Sequence, residues 1–145
     1  MVDVMTEIKI GCPIDKVSEY ATNPENAPKW YVNIHIAEWQ TPKPLTVGSR
    51  IAFKAQFLGR QLAYIYEVVE FIKGQKLVMR TADGPFPMET TYTREAIDDN
   101  LTRMTLQNKG NPKGFSKLFA PFMSTMMRRA NEKDLKKIKE ILEKK

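Results

Sequence analysis

The stretch RIAFKAQFLGRQLAYIYEVVEFI, residues 50–72, decides the fold class of this chain. Its first part alternates apolar and polar residues around Phe53 and Ala55, and its second part repeats that period of two. Alternation of this kind is typical of half-buried β-strands. Because Gly59-Arg60 separates the two runs, the stretch is predicted to form an antiparallel hairpin.

Further strands are predicted on both sides of this hairpin. The other segments with strand character are residues 4–10, 34–40, 76–82, 88–96 and 101–108. Short turns rich in Gly, Asp and Asn favour antiparallel pairing of successive strands. We interpret residues 83–87 as a loop or bulge at the edge of the sheet, because their two prolines cannot donate to a β-ladder. The sequence therefore predicts a seven-stranded antiparallel sheet.

Two short helices are predicted between the first and second strands. Pro13 stands where a first helical turn tolerates proline, and apolar residues at helical spacing follow through about residue 22. Asn23, Pro24 and Glu25 then repeat the start signal with a capping side chain, a proline and an acid. A second short helix is therefore predicted to run to about Tyr31.

A single long helix is predicted at the C-terminus, from about residue 113 or 114 to residue 143. Apolar residues at helical spacing, many of them Phe and Met, continue along this whole segment. Pro121 interrupts the stripe, and its ring excludes the carbonyl group four residues earlier. We expect it either to kink the helix or to mark where a short preceding turn meets the main helix.

Composition limits the classes of protein that fit. The chain has 145 residues, of which 42% are apolar and 28% are charged, and this predicts one domain with a sizeable core. No apolar run approaches the length of a membrane span, and no signal-peptide pattern is present, so a cytoplasmic protein is predicted. The single cysteine, Cys12, cannot form an internal disulfide, which fits a reducing compartment.

The net charge of +6 raises the question of nucleic-acid or membrane binding. Residues 101–145 hold 12 Lys and Arg against 4 Asp and Glu, whereas residues 1–100 hold 11 against 13. We interpret the excess as the solvated face of the C-terminal helix. No nucleic-acid partner is predicted, and a weak contact with membrane surfaces stays open.

In its order of one strand, two short helices, six strands and one long helix, the chain resembles the SRPBCC superfamily. This superfamily contains START lipid-transfer domains, pollen-allergen-like proteins and bacterial polyketide cyclase/dehydrase-like proteins, and the chain most resembles the last group over nearly its whole length. The motifs that carry the resemblance are residues 10–13, Pro28-Lys29-Trp30, Val47-Gly48-Ser49, Glu67-Val68-Val69-Glu70, Gly84-Pro85-Phe86-Pro87 and Arg128-Arg129. The resemblance implies an α+β helix-grip fold, with an apolar cavity between a curved sheet and the C-terminal helix.

The cavity that the resemblance implies requires apolar residues on one face of the strands and of the long helix. The residues predicted to line it are Trp30, Phe53, Ala55, Phe57, Tyr64, Tyr66, Val68, Met79, Met88, Tyr92, Met104, Phe119, Phe122, Met123 and Met126. Eight methionines in the chain suit an adaptable apolar surface, although the same spacing also fits a filled core.

Three functions follow as hypotheses. The first is binding or transport of a small hydrophobic ligand, lipid-like, sterol-like or polyketide-like, by a monomer or dimer without a cofactor. The second is a cyclase or dehydratase acting on a polyketide-like substrate, with Glu89 as general base and Tyr92 or Arg80 stabilising an enolate. The third is a membrane-interaction or partner-interaction module that uses the basic helix.

The residue types of other common active sites are scarce. His35 is the only histidine, and its apolar neighbours Ile34 and Ile36 predict that its side chain points away from theirs, to the solvent side. A zinc site is not predicted, because there is no second histidine and no cysteine cluster. Cys12 is predicted to be a buried, inert thiol rather than half of a Cys-His dyad.

Overall fold

The computed structural model of the chain describes residues 2–57, 59–83, 87–110 and 120–144, without the side chains of residues 57 and 120–122. Within these ranges, seven strands form one antiparallel sheet in the order β1-β7-β6-β5-β4-β3-β2. The strands are β1 Val2–Ile10, β2 Ile34–Trp39, β3 Arg50–Phe57, β4 Arg60–Ile72, β5 Lys76–Asp83, β6 Met88–Asp98 and β7 Leu101–Gly110. The predicted α+β helix-grip fold with a seven-stranded antiparallel sheet is confirmed.

The topology follows from the short turns. Strands β2 to β7 pair in chain order, while β1 returns to the far edge and pairs with β7 over its full length. A bulge between Val68 and Glu70 shifts the register of β4 against β5. Bulges bend a strand and increase its twist, so this one helps to curve the sheet toward one side.

Three helical segments cover the concave side and its ends: α1 Ile14–Ala21, α2 Ala27–Trp30 and α3 Ala120–Glu143. The second predicted helix is in fact divided, since a 3-10 turn at Pro24–Asn26 precedes α2. Asn23 caps this turn as expected, with its side chain accepting from the Glu25 N–H at 3.1 Å. Pro28 lacks an N–H, and this limits the hydrogen bonds that a continuous helix could make here.

The long helix α3 is described from Ala120, so Pro121 lies in its first described turn. The predicted start near residue 113 or 114 lies outside the described residues. The far end of α3 is fastened to the start of the chain, because the Glu143 carboxylate accepts from the Gly11 N–H at 2.6 Å. Lys139 Nζ also donates to the Lys9 carbonyl at 2.8 Å. Two hydrogen bonds therefore connect the C-terminal end of α3 to the start of the chain.

The main core lies between the concave face of the sheet and the inner face of α3. Leu135 and Ile138 of α3 are fully buried against it. Trp30, at the end of α2, is also buried and places its ring 4.1 Å from that of Tyr31, measured between centroids. Burial of these large side chains contributes most of the free energy that holds helix and sheet together.

Candidate functional site

A cavity of about 120 Å³ remains inside this core, between the concave face of the sheet and α3. Its surface is mostly apolar and is formed by strands β2 to β7, by the residues just before β2 and by one face of α3. Well-packed interiors contain few voids larger than a water molecule. This cavity is therefore the candidate ligand site.

The structure brings many of the predicted cavity residues together. Those that line the cavity are Phe53, Ala55, Tyr64, Tyr66, Met79, Met88, Tyr92 and Met123. They come from four strands and α3, and the period of two along each strand places them on the same face. Met127, on the same stripe of α3, joins them.

Other predicted cavity residues lie elsewhere. Trp30, Val68 and Met104 are fully buried in the surrounding core and do not reach the cavity. Met126 is half-buried on α3, outside the lining. Phe119 and the side chains of Phe57 and Phe122 lie outside the described residues. Spacing along one element cannot distinguish a residue at a void from one packed in solid core, because both are apolar and buried.

A chain of hydrogen bonds crosses the cavity wall from the sheet to α3. The Tyr66 hydroxyl lies 2.8 Å from Thr90 Oγ1, which donates to Asn108 Oδ1 at 2.6 Å. Asn108 Nδ2 in turn donates to Asn131 Oδ1 on α3 at 2.9 Å. Asn131 Nδ2, at the end of the chain, is buried and has no hydrogen-bond partner among the described groups.

Three tyrosines give the cavity a second polar region. They are Tyr31, Tyr64 and Tyr92. The hydroxyls of Tyr31 and Tyr92 are hydrogen-bonded to each other. The ring of Tyr64 packs against that of Tyr66, with centroids 5.0 Å apart. Burial raises the pKa of Tyr31, Tyr64 and Tyr92 well above the ordinary phenol value. All three hydroxyls therefore stay protonated near neutral pH and can donate hydrogen bonds.

Asp134 adds a carboxyl group to the same wall, one helical turn beyond Asn131. It is 3% exposed, and its Oδ1 accepts from the Val32 N–H at 2.9 Å. Burial raises the pKa of Asp134 from 3.8 to about 7, against the opposing effect of the Val32 hydrogen bond. A carboxyl group in this range can donate or accept a proton under physiological conditions.

This raised pKa predicts a pH-dependent loss of stability. Because folding raises the pKa of Asp134, its contribution to stability is complete below pH 3.8 and is lost as the pH rises through about 7. We expect Asp134→Asn to be more stable than the wild type at pH 8, by an amount of order 4 kcal/mol at most, and similar to it near pH 4. Urea unfolding at several pH values measures the difference.

The control for that experiment is Asp99→Asn, in the exposed turn between β6 and β7. It should leave the pH profile of stability unchanged. A parallel profile for Asp134→Asn and the wild type would show that Asp134 does not titrate as described.

Asn131, Asp134 and Tyr31 were not among the residues singled out from the sequence. A signal was present on the helix, since Asn131 and Asp134 interrupt an apolar stripe that includes Met127, Leu135 and Ile138. Polar residues three apart on the buried face of a helix lie close together, and burying them costs free energy unless they form hydrogen bonds. Tyr31 carried no comparable signal, because its partner is 61 residues away in sequence.

The residues proposed for catalysis divide between two faces of the sheet. Tyr92 lines the cavity, but Arg80 and Glu89 are opposite each other on the outer face, with Arg80 Nε 2.8 Å from Glu89 Oε2. Glu89 is next in sequence to the cavity residue Thr90, and adjacent residues of a strand point to opposite faces. His35 is exposed and Cys12 is buried. No group of three or more potential metal ligands is found in the described part of the chain.

A second, larger depression of about 850 Å³ lies outside the core, between α1, the 3-10 turn and the connection that follows β2. Lys43 crosses it, paired with Glu25 at 2.5 Å and 5.9 Å from the centre of the Trp39 ring. Its lining includes several charged side chains that face solvent. Because ligand sites are lined mostly by apolar side chains, the smaller cavity between the sheet and α3 is the better candidate site.

A curved antiparallel sheet closed by one long helix around an apolar cavity defines the helix-grip class of ligand-binding protein. The family model for polyketide cyclase/dehydrase and lipid transport proteins matches residues 1–143, and the chain belongs to this family. The predicted membership of the polyketide cyclase-like group of the SRPBCC superfamily is confirmed. The family's description also agrees with the predicted binding of small hydrophobic ligands.

Solved structures have the same fold at low sequence identity. A START superfamily protein from Mycobacterium smegmatis superimposes with a TM-score of 0.84, 12% identity and 97% coverage of both chains. An aromatase/cyclase from Streptomyces gives 0.81 and 12%, covering 97% of this chain and 93% of its own. A Thermus thermophilus protein gives 0.83 and 19%, covering 97% and 96%. No curated protein sequence matches the chain significantly.

Proposed function

We propose that this protein binds a small, largely apolar molecule inside the cavity between the sheet and α3. The observation that carries the proposal is a cavity between the sheet and α3 lined mostly by aromatic, methionine and other apolar side chains, with a few polar groups at one wall. Ligand sites of this kind hold a molecule by burial of apolar area, and their polar groups set its orientation. Family membership supports the same function.

The size of the cavity limits the ligand. Its volume of about 120 Å³ is close to that of an engineered apolar cavity of about 150 Å³ that binds benzene. Pockets for larger ligands usually measure about 300–1,000 Å³. A one-ring molecule fits the cavity as described, whereas a longer acyl chain or a fused ring system requires Met79, Met88, Met123 and Met127 to move aside. Methionine side chains are flexible enough to do so.

Native mass spectrometry of the freshly purified protein tests this proposal directly. We expect a bound mass that is released by organic extraction, and a rise in melting temperature when one-ring aromatic compounds are added. Binding only to the folded state stabilises it by an amount that grows with the ligand concentration. A protein that is free of ligand, and whose melting temperature does not respond to aromatic or lipid compounds, would contradict the proposal.

A cyclase or dehydratase activity is a second candidate, and Asp134 is the observation that favours it. Its buried carboxyl group shares the cavity with the hydroxyls of Tyr31, Tyr64 and Tyr92, and proton transfer to or from a ligand needs such groups. Glu89, the general base predicted from the sequence, faces the other side of the sheet. If a substrate is found, Asp134→Asn should remove turnover and leave most of the affinity.

The remaining predictions concern the surroundings of the protein. None of the described helices has both the length and the apolar character needed to cross a bilayer. Cytoplasmic location, a monomeric or dimeric state and weak contact with membrane surfaces stay predictions. Gel filtration with light scattering measures the oligomeric state.

A further inference from the structure

The hydrogen-bond chain in the cavity wall ends without an acceptor. From Tyr66 through Thr90 and Asn108 to Asn131, each group donates to the next, so the donor that remains is Asn131 Nδ2. Reversing the Asn131 amide alone would bring two amide nitrogens together at Asn108. A buried donor without a partner costs about 1–3 kcal/mol, and Asn131 is only 3% exposed. Such a group indicates that something else supplies the acceptor.

Other groups in the cavity also have donors to spare. Tyr31 and Tyr92 share one hydrogen bond, which uses one of their two hydroxyl hydrogens. The carboxyl group of Asp134 has one oxygen, Oδ1, that accepts from the Val32 N–H. Lysine, arginine and histidine are absent from the described lining. The wall therefore offers an excess of uncharged donors and no cation.

We propose that Asn131 and Asp134 form a polar subsite for the carbonyl oxygen of a neutral one-ring ligand, which accepts from Asn131 Nδ2–H and from the Asp134 carboxyl group. This inference rests on the proposed function and adds the chemical class of the ligand. Asn131 and Asp134 are three residues apart on α3 and line the same cavity, so one oxygen atom can lie between them.

The alternatives fit this wall less well. A carboxylate ligand would bring a negative charge into a mostly apolar lining whose described residues include no cation to pair with it. A protonated amine has no lone pair and a hydrocarbon has no acceptor, so either would leave Asn131 Nδ2 unpaired. A carbonyl group satisfies the free donors and needs none of its own.

The protonation of Asp134 supports the same assignment. Its pKa near 7 makes the carboxyl O–H available at neutral and lower pH. The titratable groups that face it are the hydroxyls of Tyr31, Tyr64 and Tyr92, which are neutral throughout this range. Affinity for a carbonyl ligand is therefore expected to fall as the pH rises through about 7.

The test uses two probes of matched shape, acetophenone and α-methylstyrene, which differ by a carbonyl oxygen in place of a methylene group. The affinities of both probes are measured by calorimetric titration of the whole protein at pH 5.5 and 8.5. At pH 5.5, acetophenone should bind about tenfold or more tightly than α-methylstyrene, as expected for one or two additional hydrogen bonds. The preference should shrink at the higher pH.

Variants separate the two donors. Asn131→Leu should reduce the preference for acetophenone by about tenfold, because it removes the free donor and keeps a similar shape. Asp134→Asn should keep the preference at both pH values, since its amide still donates and no longer titrates. Glu132→Gln, on the exposed face of α3, is the matched control and should change neither result.

The outcomes distinguish the subsite from the proposed function. Equal affinity for both probes in the wild type would overturn the subsite and leave hydrophobic binding intact. Binding of neither probe would overturn both. If Asn131→Leu does not fold, Asn131→Ala replaces it, since alanine also lacks a side-chain donor, and an unchanged preference in either variant counts against the subsite.

Discussion

Replacing Ala55 with phenylalanine is expected to abolish binding of one-ring ligands, with a loss of affinity of more than about tenfold. Ala55 lies in the middle of β3, is 8% exposed, and its methyl group forms part of the cavity floor. A phenyl ring attached there is about as large as the ligand that a cavity of about 120 Å³ accepts. The new side chain therefore occupies the space of the ligand. Native mass spectrometry and calorimetric titration of acetophenone measure the loss.

The matched control is Ala52→Phe on the same strand. Ala52 is half-buried and points to the opposite face of the sheet, so the same substitution there should leave the affinity unchanged. Both variants should remain folded, because overpacking typically costs 1–3 kcal/mol. Full retention of binding by Ala55→Phe, with a native circular dichroism spectrum, would mean that the ligand does not use this cavity.

The largest change in stability is expected for Trp30→Ala, with a loss of about 3–5 kcal/mol in the free energy of unfolding. Trp30 is 1% exposed, and its ring centroid lies 4.1 Å from that of Tyr31 and 5.7 Å from that of Tyr92. Removing the indole leaves a void behind the cavity wall that the neighbouring elements cannot fully close. Urea unfolding followed by circular dichroism measures the loss without relying on tryptophan fluorescence.

Trp39→Ala provides the comparison for this prediction. Trp39 is half-buried on the edge strand β2, so its removal should cost clearly less than that of Trp30. Equal losses for the two variants would show that Trp30 does not anchor the core in the way described. Trp30→Ala should also weaken ligand binding indirectly, because Tyr31 and Tyr92 lose the surface that positions them.

Local patterns were sufficient to predict the strands and the face that each one buries. Phe53 and Ala55 could be assigned to the same face of β3 from alternation, because side chains two residues apart share a face, and the family resemblance implied that this face lines a cavity. Turn residues such as Gly74 allowed the hairpins to be predicted, and Gly74 has the positive φ of 77° that favours glycine in a turn. These predictions depend on geometry within a few residues of the chain.

The site itself depends on contacts between distant residues. Tyr31 meets Tyr92, and Asn108 meets Asn131, only after the sheet has curved and α3 has packed against it. The raised pKa of Asp134 likewise results from burial by the whole core. Glu89 was predicted to be a general base, but it precedes the cavity residue Thr90 on β6 and therefore points to the other face of the sheet.

The amino-acid sequence by itself determined the class of fold, the family, and which strand and helix faces are apolar, because periodicity and turn chemistry act locally. Only the tertiary structure decided which apolar residues surround a void, which polar groups are left with free donors, and which carboxyl group is buried among them. The physical reason is that packing density, hydrogen-bond satisfaction and desolvation depend on neighbours brought together from across the chain. For that reason Asn131 and Asp134, the residues proposed to determine ligand specificity, could be identified only from the structure.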